Sequence, residues 1–503
     1  MTSSAGRGDP SAVWAIRGPA VLPVKTRRDD EDQDYAGEFD GDFGDGGAGD
    51  REGPDGQAWA RMREHDRDAP TAPPWDSSSV ALRQVPDAVV LIREGAIAAA
   101  GDYQAVLELE QTLNEYNPDR FAVDSLNALK EARRWDGLIL PGLVDIHCHG
   151  GGGQSFPDAV SVEQAMVAVM EHRRHGTTSL VASLVTDAPE TLTRQAALLS
   201  QLYVAGELAG IHLEGPFLSK DRAGAQDPAK MQMPNPRLVR RVAKAARGGF
   251  AVMTLAPELP GILPTDAAGA GDGAGDGGTA SGAENVIRAL AEAGAVPSFG
   301  HTVCTAEEMG LAVGAADAEL ARAGARFGRM ATATHLFNGM PPVHHRRPGP
   351  ALEALAQAAR GAMVVELIAD GVHLDPRTVL DVFAMVGPAS VALVTDAMAA
   401  AGMPDGQYQL GPAAVTVAGG VARLTEGDSI AGGTAHLIDV VRSAWRDSGV
   451  ALEDAVAAAS LVPARVLGRS LEFGSLAPGR AADLVLADSD LVPVEVYRRG
   501  ARV

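Results

Sequence analysis

A series of short apolar segments, each leading to a residue that can bind a metal ion, constrains the fold of this chain most strongly. The first segment, residues 138–149, closes on His147 and His149. The later segments lead to Glu214, His301, His335, His373 and Asp396. Side chains at the ends of parallel strands converge when those strands close into a ring. The pattern therefore predicts a barrel with a metal centre at one end.

The spacing of these segments predicts the class of barrel. Eight candidate strands end near residues 145, 184, 213, 255, 299, 334, 368 and 395. Successive ends are about 27 to 44 residues apart, which suits a strand, a loop, a helix and a return loop. Amphipathic stretches such as 189–203 occupy most of the gaps. We therefore expect an α/β protein with a (β/α)₈ TIM-type barrel over residues 141–465.

Strand-like segments at both ends of the chain predict a second, smaller domain. Residues 12–24 are rich in β-forming side chains, and 87–101 reads as a hairpin that turns at Glu94-Gly95. Segments 474–487 and 493–497 near the C-terminus also read as short strands. We expect residues 1–140 and 466–503 to form one small β-sandwich beside the barrel.

Three segments depart from this scheme. Residues 26–79 are rich in Asp, Glu, Gly and Pro without an apolar period, which favours an unstructured insertion over an acidic interaction tail. Residues 103–135 are helical in composition and look like a further insertion. Residues 260–283, mostly Gly, Ala, Asp and Thr, indicate a flexible surface loop.

Composition excludes several classes of partner. The net charge of −22 argues against a nucleic-acid-binding face. No run of 18 or more apolar residues suggests a membrane span, and the first 25 residues do not resemble a secretory signal. Two cysteines, Cys148 and Cys304, give no disulfide framework. A cytoplasmic protein fits this composition best.

The residue types at the strand ends suit a divalent ion. His147 and His149 point to the same side of an extended chain because side chains alternate there, so the two imidazoles can share one ion. Glu214 follows an apolar strand that Gly-Pro terminates, a context that favours a ligand over an exposed charge. His212 has the same parity as Glu214 and is a candidate for a supporting contact.

Two further histidines and a carboxylate extend this set. A lone histidine at a strand end is more often a core residue, but His301 and His335 close successive candidate strands. Asp396 directly follows the eighth candidate strand. A carboxylate in this position can accept a proton from the attacking water and return it to the leaving group. Metal-dependent hydrolysis is the chemistry that these residues support.

Six segments together resemble the N-acetylglucosamine-6-phosphate deacetylases of the amidohydrolase superfamily. The resemblance covers about residues 80–103 and 136–503, and faintly 12–24. The segments are Pro-Gly-Leu-Val-Asp-Ile-His-Cys-His-Gly (141–150), His-Leu-Glu-Gly-Pro-Phe (212–217), Gly-His-Thr (300–302), Thr-His-Leu-Phe-Asn-Gly-Met (334–340), Asp-Gly-Val-His (370–373) and Val-Thr-Asp-Ala-Met-Ala-Ala-Ala-Gly (394–402).

The resemblance implies hydrolysis of the acetamide of a sugar phosphate by a protein with one or two zinc or iron ions per subunit. Glu214, His301 and His335 would hold one ion, His147 and His149 would support a second, and Asp396 would be the catalytic acid and base. The implied substrate contacts are Ala225, Asn338, Gly339, His373, Ile430, Ala431 and Gly432, with Arg346 for the phosphate. The resemblance also suggests a homodimer.

Three positions depart from the family pattern. Gln226 stands where histidine is expected after Gly-Ala, Gly433 replaces the usual serine after Ala-Gly, and Arg347 stands where glutamate is frequent. These departures concern the substrate side of the site and leave the implied metal ligands intact.

Two alternatives stay open at the level of sequence. Dihydroorotase-like or D-aminoacylase-like amidohydrolases often use a carboxylated lysine to bridge two ions, and no lysine ends a candidate strand here. A non-catalytic scaffold that kept the barrel would typically lose a ligand, whereas Glu214, His301, His335 and Asp396 are all present.

Overall fold

The computed structural model describes residues 13–23, 81–116, 123–263, 284–324, 330–427 and 429–503. The acidic segment 26–79 lies outside the described residues, and so does most of the glycine-rich segment 260–283.

The strands in chain order are β1 (Val13–Pro23), β2 (Leu82–Arg93), β3 (Ala96–Asp102), β4 (Arg133–Arg134), β5 (Leu138–Pro141), β6 (Leu143–Cys148), β7 (Gly150–Gly151), β8 (Gln154–Ser155), β9 (Thr177–Leu184), β10 (Gly210–Glu214), β11 (Phe250–Leu255), β12 (Val296–Phe299), β13 (Thr332–Ala333), β14 (Val364–Leu367), β15 (Val391–Leu393), β16 (Gly406–Leu410), β17 (Ala413–Ala418), β18 (Val421–Leu424), β19 (Leu484–Ala487), β20 (Pro493–Arg498) and β21 (Ala501–Arg502).

The α-helices are α1 (Tyr103–Tyr116), α2 (Val123–Lys130), α3 (Val162–Arg174), α4 (Pro189–Val204), α5 (Pro236–Ala245), α6 (Val286–Glu292), α7 (Ala306–Arg322), α8 (Gly349–Ala359), α9 (Pro376–Val386), α10 (Leu437–Arg446), α11 (Leu452–Ala458) and α12 (Leu461–Val466). Two 3₁₀ turns cover Lys220–Arg222 and Pro388–Ser390. No helix among the described residues is long and apolar enough to cross a membrane.

The predicted barrel is confirmed. Eight parallel strands pair in the order β15-β14-β13-β12-β11-β10-β9-β6, with helices between successive strands. The strands are buried along their length, as expected when a parallel sheet is covered on both faces. The ring is nearly closed between β6 and β15, where the Asp396 amide donates to His147 O at 2.9 Å and the His149 amide donates to Ala397 O at 2.7 Å.

The two chain ends form one mostly antiparallel sheet beside the barrel, in the order β21-β20-β19-β5-β1-β2-β3, with β4 on β1. The β2–β3 hairpin turns at Glu94 and Gly95, as predicted, and both residues have positive φ. The segment before β19 also contacts the β3 edge of this sheet, where the Ile97 amide donates to Arg480 O at 2.8 Å. Within the predicted segment 474–487 only Leu484–Ala487 is a strand.

The helices of the 103–135 segment cover the outer face of this sheet. Val106 of α1 and Leu129 of α2 are buried in a small core with Val89 and Leu91 of β2. A separate core, which includes Ile16, fills the inner side of the sheet. The domain boundaries at 140/141 and 465/466 stay a prediction.

An additional hairpin sheet follows the last barrel strand and was not predicted. Strands β16, β17 and β18 pair antiparallel in sequence order. Their buried side chains, including Leu410 and Val415, pack against Met398 and Ala431. This small sheet therefore rests on the loops at the carboxyl end of the barrel.

Candidate active site

Glu214, the last residue of β10, is the centre of the site. Its Oε1 atom lies 2.9 Å from His301 Nε2 and 2.9 Å from His335 Nε2, and the two nitrogens are 3.1 Å apart. All three side chains are buried. His301 and His335 have positive φ, as does Asp396. Non-glycine residues adopt that conformation at a cost, and such backbone strain is concentrated at functional sites.

His147 of β6 and His149, which directly follows this strand, lie on the other side of the same carboxylate. They are called the β6 pair below. His147 Nε2 and His149 Nε2 are 3.2 Å apart, and each lies 3.3 Å from Asp396 Oδ1. His149 Nε2 is also 3.1 Å from Glu214 Oε2. Glu214 is therefore shared, with one oxygen facing each pair of histidines.

This arrangement fits divalent metal ions. Two groups of ligand atoms converge, one from Glu214, His301 and His335 and the other from His147, His149, Glu214 and Asp396. In each pair the two Nε2 atoms lie 3.1 to 3.2 Å apart beside the same carboxylate, the placement expected of ligands that converge on one ion. Buried imidazoles and carboxylates are the ligands that Zn²⁺, Fe²⁺, Mn²⁺ and Co²⁺ accept. The donor set does not select among these metals.

The electrostatics of the site keep both carboxylates ionised. Burial alone would raise the pKa of Glu214, but hydrogen bonds from the four histidines hold it well below its usual range. Burial likewise opposes ionisation of Asp396, but the charge of His147 together with the hydrogen bond and charge of His149 lowers its pKa. Asp396 is therefore charged near neutral pH, the state in which it can accept a proton.

Two buried carboxylates that the sequence reasoning did not single out support the histidines. Glu366 Oε2 lies 3.2 Å from His147 Nδ1 and accepts the His335 backbone amide at 3.2 Å. Asp145 accepts the His147 amide at 3.2 Å and the Thr395 hydroxyl at 2.6 Å. Burial raises the pKa of Asp145 to about 6. The sequence did contain a signal for Glu366, because a charged residue inside an otherwise apolar strand is rarely buried without a partner.

His212 and Gln226 occupy supporting positions. Both ring nitrogens of His212 are engaged, at 2.9 Å from Ser183 Oγ and 2.9 Å from Thr254 Oγ1, so this ring packs beside the ligands without joining them. Gln226 donates its amide to Glu214 Oε2 at 2.5 Å. The glutamine that departs from the family pattern therefore fixes the shared carboxylate.

A cavity of ≈ 270 Å³ opens above these residues. Its wall contains the predicted substrate contacts Ala225, Asn338, Gly339, His373, Ile430, Ala431 and Gly432, together with Leu410 and Ser429. His373 Nδ1 is 2.8 Å from Asp370 Oδ2, which leaves Nε2 as the nitrogen available to a ligand. The predicted metal ligands other than His147 therefore share one cavity with predicted substrate contacts.

Arg346 is the one predicted substrate contact that does not line this cavity. It lies in an exposed turn in which the Arg347 amide donates to His344 O at 2.9 Å. The Arg346 amide faces the His344 ring nitrogen at 3.3 Å. No residue of this turn is part of the cavity wall.

Gly433, another departure from the family pattern, packs against the segment that carries Asp396, the predicted acid and base. Its amide donates to Asp396 O at 2.7 Å, and an added Cβ would overlap the carbonyl oxygen of Thr395. We expect Gly433→Ala to displace Asp396 and to lower kcat by up to about 10²-fold, the scale for a displaced catalytic group. Kinetics with metal analysis would check this, and an unchanged kcat would contradict it. Gly314→Ala is the matched control, because Gly314 also lacks a positive φ but has open space around its Cβ.

The chain matches known proteins over most of its length. The model of the amidohydrolase family matches residues 138–502. The chain belongs to the amidohydrolase family. The N-acetylglucosamine-6-phosphate deacetylase of Bacillus subtilis (strain 168) is 33% identical over 383 residues, covering 73% of this chain and 84% of the relative. That of Bos taurus is 32% identical over 402 residues, covering 77% and 88%.

Solved structures of family members have the same fold as this chain. One is a variant of the N-acetyl-D-glucosamine-6-phosphate deacetylase from Mycobacterium smegmatis in complex with N-acetyl-D-glucosamine-6-phosphate. It is 36% identical, has a TM-score of 0.67 and covers 84% of this chain and 95% of that one. The resemblance seen in the sequence is confirmed, and this amidohydrolase is a hydrolase of amide bonds.

Proposed function

We propose that this amidohydrolase cleaves the acetamide of N-acetyl-D-glucosamine 6-phosphate to D-glucosamine 6-phosphate and acetate in amino-sugar metabolism. The observation that carries the proposal is the convergence of Glu214, His301, His335 and Asp396 at the floor of one cavity. The Mycobacterium smegmatis relative bound to that sugar phosphate supports the choice of substrate.

The two groups around Glu214 would hold one or two divalent ions, zinc or iron. Such an ion supplies polarisation of the amide carbonyl and lowers the pKa of water. Asp396, ionised in the folded protein, accepts the proton of the attacking water and returns it to the amide nitrogen as the C–N bond breaks. His373, fixed through Nδ1 by Asp370, is placed to donate a hydrogen bond from Nε2 to the substrate near the amide.

An assay of acetate release tests the proposed activity. We expect release from N-acetylglucosamine 6-phosphate and much less from the unphosphorylated sugar. Removal of metal with a chelator should abolish the reaction, and added Zn²⁺ or Fe²⁺ should restore it. Equal rates on both sugars would contradict the proposed substrate, and full activity after verified metal removal would contradict the proposed chemistry.

Arg346 is the proposed phosphate contact. A guanidinium binds phosphate through two parallel hydrogen bonds. Arg346→Ala should lower kcat/KM for the phosphorylated sugar by roughly 30- to 1,000-fold, the scale of a lost charge-assisted contact. Activity on the unphosphorylated sugar should hardly change. Equal losses on both would make Arg346 structural, and Arg347 and His344 would then be tested in the same way.

We also propose a homodimer in the cytoplasm that acts on a small molecule and binds neither nucleic acid nor membrane. The family resemblance supports the dimer, and the two free, buried cysteines support a reducing compartment. Sedimentation of the purified protein at micromolar concentration would test the dimer, and a single monomeric species would contradict it.

A further inference from the structure

The turn that follows His301 is held by a carboxylate from the neighbouring loop. Glu258 lies in the loop after β11, and His301 lies two residues after β12, the adjacent strand of the barrel. Glu258 Oε2 accepts the Thr302 hydroxyl at 2.5 Å, and Glu258 Oε1 accepts the Val303 amide at 2.9 Å. Both oxygens of Glu258 therefore bind the two residues directly after His301. Neither Glu258 nor these two residues line the central cavity.

This turn needs support because the backbone of His301 is strained. His301 has a φ of 48°, in the left-handed region that residues other than glycine rarely adopt. Such a conformation persists only where the surrounding contacts hold it. The His301 carbonyl accepts the Ser219 amide at 2.9 Å, and His301 Nδ1 donates to Arg222 O at 2.7 Å. These two contacts hold His301 itself from the loop after β10, whereas Glu258 holds the chain after it from the loop after β11.

The turn also contacts the loop of a second histidine of the site. The Thr302 amide donates to Gly339 O at 3.1 Å, and Gly339 lies four residues after His335. Gly339 packs against the ring of His301, since a Cβ added there would lie 3.0 Å from His301 Nδ1. Glu258 is therefore connected, through Thr302, to the loops of both histidines that face Glu214.

We propose that Glu258 is a positioning residue for metal binding, which holds the turn after His301 so that His301 Nε2 already faces Glu214 and His335 before an ion binds. Glu258 itself would contact neither the ion nor the substrate. A ligand that is held in its binding position loses less conformational freedom when it binds, so the effect should appear as metal affinity. The inference rests on the metal centre of the proposed function and does not depend on the identity of the sugar.

Glu308 provides a closely matched control. Its carboxylate accepts the Thr305 amide at 2.8 Å and the Thr305 hydroxyl at 3.0 Å, so it binds one amide and one threonine hydroxyl, as Glu258 does. Thr305 is the N-cap of α7 and lies further from the metal-binding histidine. Loss of this capping box should destabilise α7 without moving His301.

Titration of the metal-free protein with Zn²⁺ against a chromophoric chelator tests the proposal. Glu258→Ala should weaken zinc binding roughly 10- to 100-fold, the range for residues that support metal ligands. Glu258→Gln should lie between Glu258→Ala and the wild type, because its single amide oxygen can still accept the Val303 amide. Glu308→Ala should bind zinc as the wild type does. Thermal unfolding of the metal-free variants would show that each is folded.

Hydrogen exchange of the metal-free protein gives a second readout that needs neither ion nor substrate. The Val303 amide should exchange faster in Glu258→Ala and at the wild-type rate in Glu308→Ala, because only the first variant removes its acceptor. Unchanged zinc affinity in Glu258→Ala, or an equal loss in Glu308→Ala, would overturn the proposal and make Glu258 a purely structural contact. Neither measurement uses the sugar phosphate, so this outcome is distinct from a failure of the acetate-release assay.

Discussion

Asp396→Asn is expected to lower turnover by roughly 10²–10⁴-fold, the usual contribution of a positioned proton-transfer group. The reason is its place beside both pairs of histidines, with Oδ1 3.3 Å from His147 Nε2 and from His149 Nε2. Asparagine keeps an oxygen in that position but cannot accept the proton of the attacking water. The ion that we propose for Glu214, His301 and His335 should stay bound.

Steady-state kinetics together with metal analysis would check this expectation. Asp370→Asn, which alters the carboxylate that orients His373, is a useful comparison. It should act mainly on KM, whereas Asp396→Asn should act on kcat. A near-normal kcat in Asp396→Asn would show that another residue transfers the proton.

Glu214→Gln is expected to remove bound metal and activity together, down to the background of the assay. Its two oxygens serve the two groups of histidines, Oε1 toward His301 and His335 and Oε2 toward His149. An amide supplies one neutral oxygen in place of a charged, bridging carboxylate, so neither group stays complete. His301→Ala and His335→Ala should also lose metal with activity.

Metal content per chain, measured with acetate release, would check the prediction. Glu319→Gln provides a matched control, because Glu319 is also a buried carboxylate but pairs with Arg288 and Arg322 away from the site. It should keep its metal. Partial loss of metal in His147→Ala would indicate two ions, and complete loss there with Glu214 intact would mean that the β6 pair dominates binding.

The sequence predicted the barrel well because most of its strands lead to a chemically informative residue. The apolar run before Glu214 became β10, and the one before Asp396 became β15. Glu366 escaped notice because a strand buried on both faces has no alternation that shows which side chains point into the barrel. The hairpin sheet β16–β18 carried a signal in Gly419-Gly420, a pair typical of tight hairpin turns.

The substrate side of the site was harder to predict from sequence. Residues directly after a strand, such as Asn338 close behind His335, have their position fixed by that strand. Arg346 lies further along a loop, where spacing in sequence no longer determines position in space. The contact between Gln226 and Glu214 likewise depends on the path of the loop after β10 and follows from no local pattern.

The order in which the strands are synthesised affects folding, because β5 is made long before its partner β19. β5 pairs with β19 through contacts such as Pro141–Leu484, about 340 residues apart. At synthesis rates of roughly 5–20 residues per second, β5 waits about 20–70 s for this neighbour. An unpaired strand edge is prone to aggregation for as long as it stays exposed. Nascent chains stalled between the barrel and β19 should therefore recruit chaperones at β5, and the emergence of β19 should end that exposure.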